Sequence, residues 1–159
     1  MIMTEISLKI NGKRLNLTVD VRQSLSSILR DKGYMSVKEG CGVGECGACT
    51  VLVDGQPLNA CIYLATWVNG CEIRTAEGEI KDNQLSDVQQ AYLEEGAVQC
   101  GFCTPGFVMT STAFVEKHQG ESVSRNQIRK EHAGNLCRCT GYDSIVGAVE
   151  KCMNHKDHK

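Results

Sequence analysis

The 159-residue sequence has few aromatic residues, only two prolines and no long apolar segment. Aromatic side chains make up 5% of the chain, so a large aromatic core is not the dominant feature. No stretch of about 18 apolar residues occurs, which argues against a membrane-spanning helix. No run of lysine or arginine exceeds two residues and the formal charge is -2, so the electrostatic footprint of nucleic-acid binding is missing. We therefore expect neither a membrane nor a nucleic acid as partner.

Cysteine is the residue that the sequence has in excess, with ten in the chain. The N-terminus has no basic region followed by an uninterrupted apolar run, so no secretory leader is predicted and a cytoplasmic protein is expected. Thiols stay reduced in that compartment. Dense cysteines there serve metal binding or redox chemistry more often than disulfides.

The first half of the chain, residues 1–78, is predicted to be a β-rich domain with one helix lying across the sheet. Apolar and polar residues alternate there with a period of about two, as in half-buried strands. The expected elements are a hairpin turned at Asn11-Gly12, a short helix from Ser24 to Gly33, a strand over 50–53 turned at Asp54-Gly55, and a strand around Ile73.

The second half, residues 79–159, is predicted to be helical, because the hydrophobic period there becomes about 3.6 residues. Four helices are expected, which makes the whole chain an α+β protein. Their markers are Val88 and Tyr92 in the first, Phe107 and Phe114 in the second, a capping box of Ser124 with Gln127 in the third, and the stripe Ile145, Val146, Val149, Cys152 and Met153 in the last.

Four cysteines of the first half have the C-x4-C-x2-C spacing, with a distant fourth residue, that is typical of a plant-type [2Fe-2S] cluster. Their loop is rich in glycine, as expected where backbone N–H groups must approach bridging sulfides. A structural zinc site is the alternative, although three cysteines in one short loop do not match its usual pair of knuckles. This first quartet consists of Cys41, Cys46, Cys49 and Cys61.

The letters of the same loop also satisfy G-x-G-x-x-G. We reject a dinucleotide site because the loop leads into a predicted strand and does not open a helix.

A second quartet of cysteines lies in the helical half as C-x2-C and C-x-C. Each pair precedes a predicted helix, and Thr104-Pro105 is expected to supply the N-cap and first residue of one of them. Helix N-termini favour negative charge, which suits a thiolate-ligated cluster. The second quartet consists of Cys100, Cys103, Cys137 and Cys139.

The two remaining cysteines, Cys71 and Cys152, have no partner at ligand spacing and are interpreted as packing residues. The four histidines lie among polar residues and are all expected to be solvated. They are His118, His132, His155 and His158.

Three motifs, EGCGVGECGACTV, VQCGFCTPG and GNLCRCTGY, follow one another across essentially the whole chain. In this order they closely resemble the small iron–sulfur subunit of the molybdenum hydroxylases, the xanthine dehydrogenase and aldehyde oxidoreductase family. The resemblance implies a ferredoxin-like β-grasp domain followed by a four-helix bundle domain, each with one [2Fe-2S] cluster. It also implies that Gln99 and Cys139 contact a molybdopterin held by a partner, with Arg138 nearby.

The same resemblance implies two partner subunits, a large one that binds molybdopterin and a medium one that binds FAD. The assembly would be a hetero-oligomer, with a dimer of heterotrimers as one form. Electrons would pass from molybdopterin to the second quartet, then to the first quartet, then to FAD. The chain would thus belong to an oxidoreductase while having no catalytic residue of its own.

The substrate of such a complex is not encoded in this chain. The motifs are most like those of bacterial three-subunit xanthine dehydrogenases, which makes a purine the expected substrate. Nicotinate, aldehyde, aromatic-ring and carbon monoxide dehydrogenases remain alternatives. A free-standing ferredoxin is the competing hypothesis, but a free carrier usually has a strongly acidic docking face, and here 17 basic residues nearly balance 19 acidic ones.

Overall fold

The computed structural model describes residues 2–155, and within them it contains five strands and five α-helices. The strands are β1 (Met3–Ile10), β2 (Lys13–Asp20), β3 (Thr50–Val53), β4 (Gln56–Asn59) and β5 (Glu72–Arg74). The helices are α1 (Leu25–Asp31), α2 (Asp87–Glu94), α3 (Thr104–Lys117), α4 (Arg125–Glu131) and α5 (Asp143–His155). None of the helices in this range has the length and apolar character needed to cross a membrane.

The five strands form one mixed sheet in the order β2-β1-β5-β3-β4. Strand β1 pairs antiparallel with β2 and parallel with β5, and β3 pairs antiparallel with β4 and β5. Both predicted hairpin turns are confirmed. The φ angles are 49° and 80° at Asn11 and Gly12, and 47° and 80° at Asp54 and Gly55. Two successive left-handed residues are what a type I′ turn requires.

Helix α1 packs its apolar side against the sheet, as the sequence predicts. The Ser24 hydroxyl caps it by accepting the N–H of Ser27 over 3.2 Å, and Gly33 follows the helix with a φ of 91°. The buried side chains of helix and sheet form a single cluster. Its members include Leu25, Ile28 and Leu29 from α1 and Ile6, Ile10, Val51 and Ile73 from the sheet.

The four predicted helices of the second half are confirmed as α2 to α5. Ser86 and Gln89 form a reciprocal capping box at the start of α2, and Ser124 caps α4 by accepting the N–H of Gln127 over 3.2 Å. The helices share a second buried cluster. Its members include Val88, Tyr92, Phe107, Ile128, Ile145, Val149 and Cys152.

Helix α3 belongs to both halves of the molecule, because it is buried on nearly all sides. Residues 106–115 are all buried. Met109 and Ala113 pack against Leu52 of β3, whereas Phe107 belongs to the helical cluster. A helix that is buried on nearly all sides lies in the interior of a protein, so α3 fixes the helical half against the sheet.

The prediction that all four histidines are solvated is wrong for two of them, because His118 and His132 are only 6% and 5% exposed. His132 is accommodated by hydrogen bonds: its Nδ1 lies 2.8 Å from the Ile128 carbonyl oxygen and its Nε2 lies 2.9 Å from the Ser111 hydroxyl. Burial lowers the pKa of His132 below its ordinary value. The ring is therefore neutral in the fold.

His118 is buried between two carboxylates of the helical half. Its Nδ1 lies 2.5 Å from Glu121 and its Nε2 lies 3.0 Å from Glu131. The hydrogen bond to Glu121, with a further contribution from Glu131, raises the pKa of His118 despite its burial. The side chain of His155 and the whole of His158 lie outside the described residues.

Replacing His118 and His132 separately by glutamine is expected to change the pH dependence of stability in opposite directions. The raised pKa of His118 contributes stability below its unfolded pKa of about 6.5, and this is lost as the pH rises through the folded value. The lowered pKa of His132 makes the native state lose stability as the pH falls. His118→Gln should therefore destabilise more at about pH 5.5 than at about pH 8.5, and His132→Gln should do the reverse.

Urea-unfolding midpoints of both variants and the parent at the two pH values test this. Equal shifts at both pH values would contradict the assignment of the two charge states.

Candidate metal centres

The first quartet is placed by one loop and one turn beside the sheet. Cys41, Cys46 and Cys49 lie in the loop between α1 and β3, and Cys61 comes two residues after β4. Cys41 is exposed and Cys49 is buried, with the other two intermediate. The thiols of Cys41 and Cys46 interact with each other, as do those of Cys49 and Cys61. Cys49 also interacts electrostatically with Cys46. The structure thus brings the four predicted ligands together.

Two glycines of this loop are required by close approach of other groups. A Cβ on Gly40 would lie 2.9 Å from the sulfur of Cys46. Gly47 has a φ of 69°, and a Cβ there would lie 2.5 Å both from the Asn135 side-chain nitrogen and from the Gly134 carbonyl oxygen. Any larger residue at either position would displace a thiol or separate the loop from the helical half.

Two thiols of the first quartet, Cys41 and Cys49, have pKa values that are shifted in opposite directions. Three backbone N–H groups donate to the Cys41 sulfur over 3.3 to 3.5 Å, those of Val43, Cys46 and Glu45. These hydrogen bonds lower the pKa of the Cys41 thiol to about 6, whereas burial raises the pKa of Cys49 to about 12. The backbone alone prepares Cys41 as a thiolate, whereas Cys49 needs the positive charge of a metal to lose its proton.

The second quartet lies in the loops that lead into α3 and α5. Cys103 is itself the N-cap of α3, because its carbonyl accepts the N–H of Phe107 over 3.1 Å. The prediction that Thr104 caps this helix is therefore wrong by one residue, since Thr104 already lies in the first turn. The thiols of Cys103 and Cys137 interact, and so do those of Cys100 and Cys139.

The second quartet also combines a half-buried thiol whose pKa is raised with a thiol whose pKa is lowered. Burial raises the pKa of Cys103 to about 12. Burial acts in the same direction on Cys137, but the Thr140 hydroxyl and N–H, 3.1 and 3.4 Å from its sulfur, bring the pKa of Cys137 below its ordinary value. Hydrogen bonds of this kind stabilise charge on a ligating sulfur.

The arrangement of the eight thiols in pairs distinguishes between the two kinds of centre considered from the sequence. Within each quartet the thiols interact chiefly in two pairs, with weaker interactions across the pairs, and a [2Fe-2S] cluster is ligated by two thiolates on each of its two irons. A structural zinc ion takes four ligands around one position. The donor set therefore fits [2Fe-2S] clusters better than zinc.

The residues predicted to contact a partner's pterin lie at the exposed edge of the second quartet. Gln99, Arg138 and Cys139 are all exposed, and so are the neighbouring apolar side chains of Phe102 and Leu136. Their exposure makes these side chains accessible to another molecule. The pterin contact itself stays a prediction.

Asn135 connects the regions of the two quartets. No motif or spacing in the sequence pointed to this residue. Asn135 is 5% exposed, and its side-chain nitrogen donates to the Gly47 carbonyl oxygen over 3.0 Å. The next residue, Leu136, donates its backbone N–H to the carbonyl oxygen of Cys46 over 2.9 Å. The loop of the first quartet is thus bonded directly to the segment that leads into Cys137.

The two cysteines interpreted as packing residues are placed as expected. Cys152 is 3% exposed within the helical cluster, and its sulfur lies 3.6 Å from the Asp87 carbonyl oxygen. Cys71 packs, partly buried, against the cluster of the sheet half.

Two family models match the chain. A 2Fe-2S iron-sulfur cluster binding domain matches residues 8–96, and a [2Fe-2S] binding domain matches residues 75–150. Each range contains one complete quartet. The chain is therefore a [2Fe-2S]-binding protein.

Similar proteins show which kind of [2Fe-2S]-binding protein this chain is. The xanthine dehydrogenase iron-sulfur-binding subunit of Escherichia coli O157:H7 is 54% identical over 95% of this chain and 95% of that protein. The nicotinate dehydrogenase small FeS subunit of Eubacterium barkeri is 44% identical over 94% of this chain and 97% of that protein. A chain of quinoline 2-oxidoreductase from Pseudomonas putida 86 superimposes with a TM-score of 0.90 at 37% identity, covering 96% of this chain and 94% of that one. The protein belongs to the small iron–sulfur subunits of the molybdenum hydroxylases.

Serine substitutions at Cys103 and Cys152 should separate ligand thiols from packing thiols. We expect Cys103→Ser to lose the iron of the second quartet and to destabilise the helical half, because the cluster joins two helix ends in a region with a small core. Cys152→Ser should retain all the iron and lower the free energy of unfolding by about 1–3 kcal/mol, the usual cost of a hydroxyl in an apolar site.

Iron content per chain and thermal unfolding, measured side by side on the two variants and the parent, check both expectations. Iron loss from Cys152→Ser, or full retention in Cys103→Ser, would show that the second quartet is wrongly assigned.

Proposed function

We propose that this chain is the electron-transfer subunit of a molybdenum-dependent hydroxylase. It relays electrons one at a time from a molybdopterin in a large partner subunit to FAD in a medium partner subunit. Residues 1–78 and 79–159 form its two domains, a β-grasp domain and a four-helix bundle, and each holds one [2Fe-2S] cluster. The observation that carries this proposal is the grouping of eight thiols, chiefly in pairs, in two quartets whose segments are hydrogen-bonded to each other.

The residues of the chain supply the charge balance that such a relay needs. Bound clusters accept and release single electrons, so the surroundings must tolerate a change of one negative charge. The backbone donors around Cys41 and the Thr140 donors on Cys137 provide fixed dipoles for this purpose. The N-terminus of α3, which Cys103 caps, adds a favourable field at the second quartet.

Each quartet has one exposed side, and we assign these to entry and exit of electrons. At the second quartet Cys100 and Cys139 are exposed, and Gln99 beside them is placed to meet the pterin of the large subunit. At the first quartet Cys41 is exposed, and we assign this side to the flavin subunit. The other thiols of both quartets are buried or half-buried.

A purine, and xanthine in particular, is the proposed substrate of the assembled complex, on the basis of the 54% identical relative. Nicotinate is the alternative with the next support, from the relative that is 44% identical. We also propose that the protein acts in the cytoplasm, where thiols that serve as metal ligands stay reduced. The substrate pocket itself would belong to the large subunit.

Purification of the tagged chain from its native host tests the proposal. We expect two larger subunits to copurify, one with molybdopterin and one with FAD, in a hetero-oligomer whose mass reports whether two heterotrimers associate. Stepwise reduction should give two distinguishable electron paramagnetic resonance signals, because the two quartets differ in hydrogen bonding and in helix-end field.

The Cys103→Ser chain is the matched control, since it should show one signal only. A monomeric chain that reduces generic acceptors unaided would favour a free-standing ferredoxin and contradict the proposal.

A further inference from the structure

Residues 135–137 connect the two quartets. The N–H of Leu136 donates to the Cys46 carbonyl oxygen over 2.9 Å, and Leu136 directly precedes Cys137. A route of ten covalent bonds between heavy atoms and one hydrogen bond therefore connects the Cys46 thiol of the first quartet to the Cys137 thiol of the second. The Leu136 side chain is 53% exposed, so apolar burial does little to hold this backbone in place.

What holds the segment is the side chain of Asn135. Its nitrogen donates to the Gly47 carbonyl oxygen over 3.0 Å and to the Thr50 hydroxyl over 3.3 Å. Its oxygen accepts the Thr110 hydroxyl of α3 over 2.8 Å. One buried amide thus bonds to the loop of the first quartet, to the start of β3 and to the helix that links the two halves.

Two glycines, Gly47 and Gly106, leave the space in which the Asn135 amide meets the loop and the helix. Gly47 lacks the Cβ that would lie 2.5 Å from the Asn135 nitrogen. On the other side, a Cβ on Gly106 of α3 would lie 2.2 Å from the Gly47 carbonyl oxygen, so helix and loop are in direct contact there. With both glycines making room, the three segments meet at Asn135 with little freedom to shift.

We propose that Asn135 is a positioning residue for electron transfer between the two centres: it holds the Leu136 N–H against the Cys46 carbonyl and thereby fixes the coupling between the quartets. The inference rests on the proposed electron-transfer function. Electronic coupling falls steeply with each break or lengthening in a route of bonds, and a displacement of about 1 Å is enough to change rates strongly in precisely organised sites.

Asn135→Asp in the assembled complex is the direct test. Aspartate has nearly the same shape and still accepts the Thr110 hydroxyl, but it loses both N–H donors and directs a carboxylate oxygen at the Gly47 carbonyl. We expect hydrogen exchange at the Leu136 amide to be about tenfold faster. The spin–spin splitting between the two reduced centres should decrease, and electron transfer between them should slow about tenfold or more with iron content unchanged.

Asn11→Asp is the matched control. Asn11 lies in the β1–β2 turn, and its side chain also joins segments that are distant in sequence. Its nitrogen donates to the Thr75 hydroxyl over 3.0 Å, and its oxygen accepts the Thr75 N–H over 2.9 Å. Its substitution should lower stability while leaving the Leu136 exchange rate and the splitting unchanged.

Thr110→Val provides a milder variant if Asn135→Asp does not retain iron. It removes the hydroxyl that orients the Asn135 amide but leaves both N–H donors, so exchange and splitting should change in the same direction by a smaller amount. Thr110→Ser, which keeps the hydroxyl, should restore the parent values.

Parent-like exchange and splitting in whichever of the two variants, Asn135→Asp or Thr110→Val, retains iron would overturn the inference and leave Asn135 a structural residue only. Failure of the proposed function is a different result. It would appear as a parent chain without iron, whatever the Leu136 amide does.

Discussion

Gathering thiols into pairs inside a small protein is the constraint on which the rest of this structure depends. Burial disfavours ionisation of a thiol, and it raises the pKa of the buried Cys49 and of the half-buried Cys103 to about 12. Two adjacent thiolates also repel each other. The chain offsets these costs with backbone and hydroxyl donors at Cys41 and Cys137, and the remaining charge must come from metal. Glycine-rich loops follow from the same need, because donors can reach sulfur only where no Cβ intervenes.

The second requirement of an electron relay is a fixed separation between its two centres, and helix α3 provides the frame for it. The helix contributes Met109 to the sheet side and Phe107 to the helical side, and its first residues follow Cys103. At its other end Glu116 forms an ion pair with Arg74 of β5 over 2.9 Å. A sheet domain and a helical domain joined only by a linker would move relative to each other, whereas a shared buried helix prevents this.

Local signals in the sequence predicted most of the helices and strands and indicated all eight candidate ligands, which the structure brings together in two quartets. The turn at Asn11-Gly12 and the cap at Ser24 are encoded by neighbouring residues, and the ligand set is encoded by cysteine spacing. Asn135 and the buried His118 could not be predicted in this way. Asn135 bonds to Gly47, 88 residues away, and His118 is buried by helices whose packing has no counterpart in local polarity. The N-cap of α3 is Cys103 and not the predicted Thr104, and this also depends on a distant residue. The Cys103 thiol interacts with the Cys137 thiol, which lies before a different helix.

Iron and acid-labile sulfide per chain, determined together on anaerobically purified protein, test the central claim most directly. Eight thiols in four pairs predict about four iron and about four sulfide per chain, with no stoichiometric zinc. Stoichiometric zinc without sulfide would contradict the account. Half the expected iron would show that only one quartet holds a cluster.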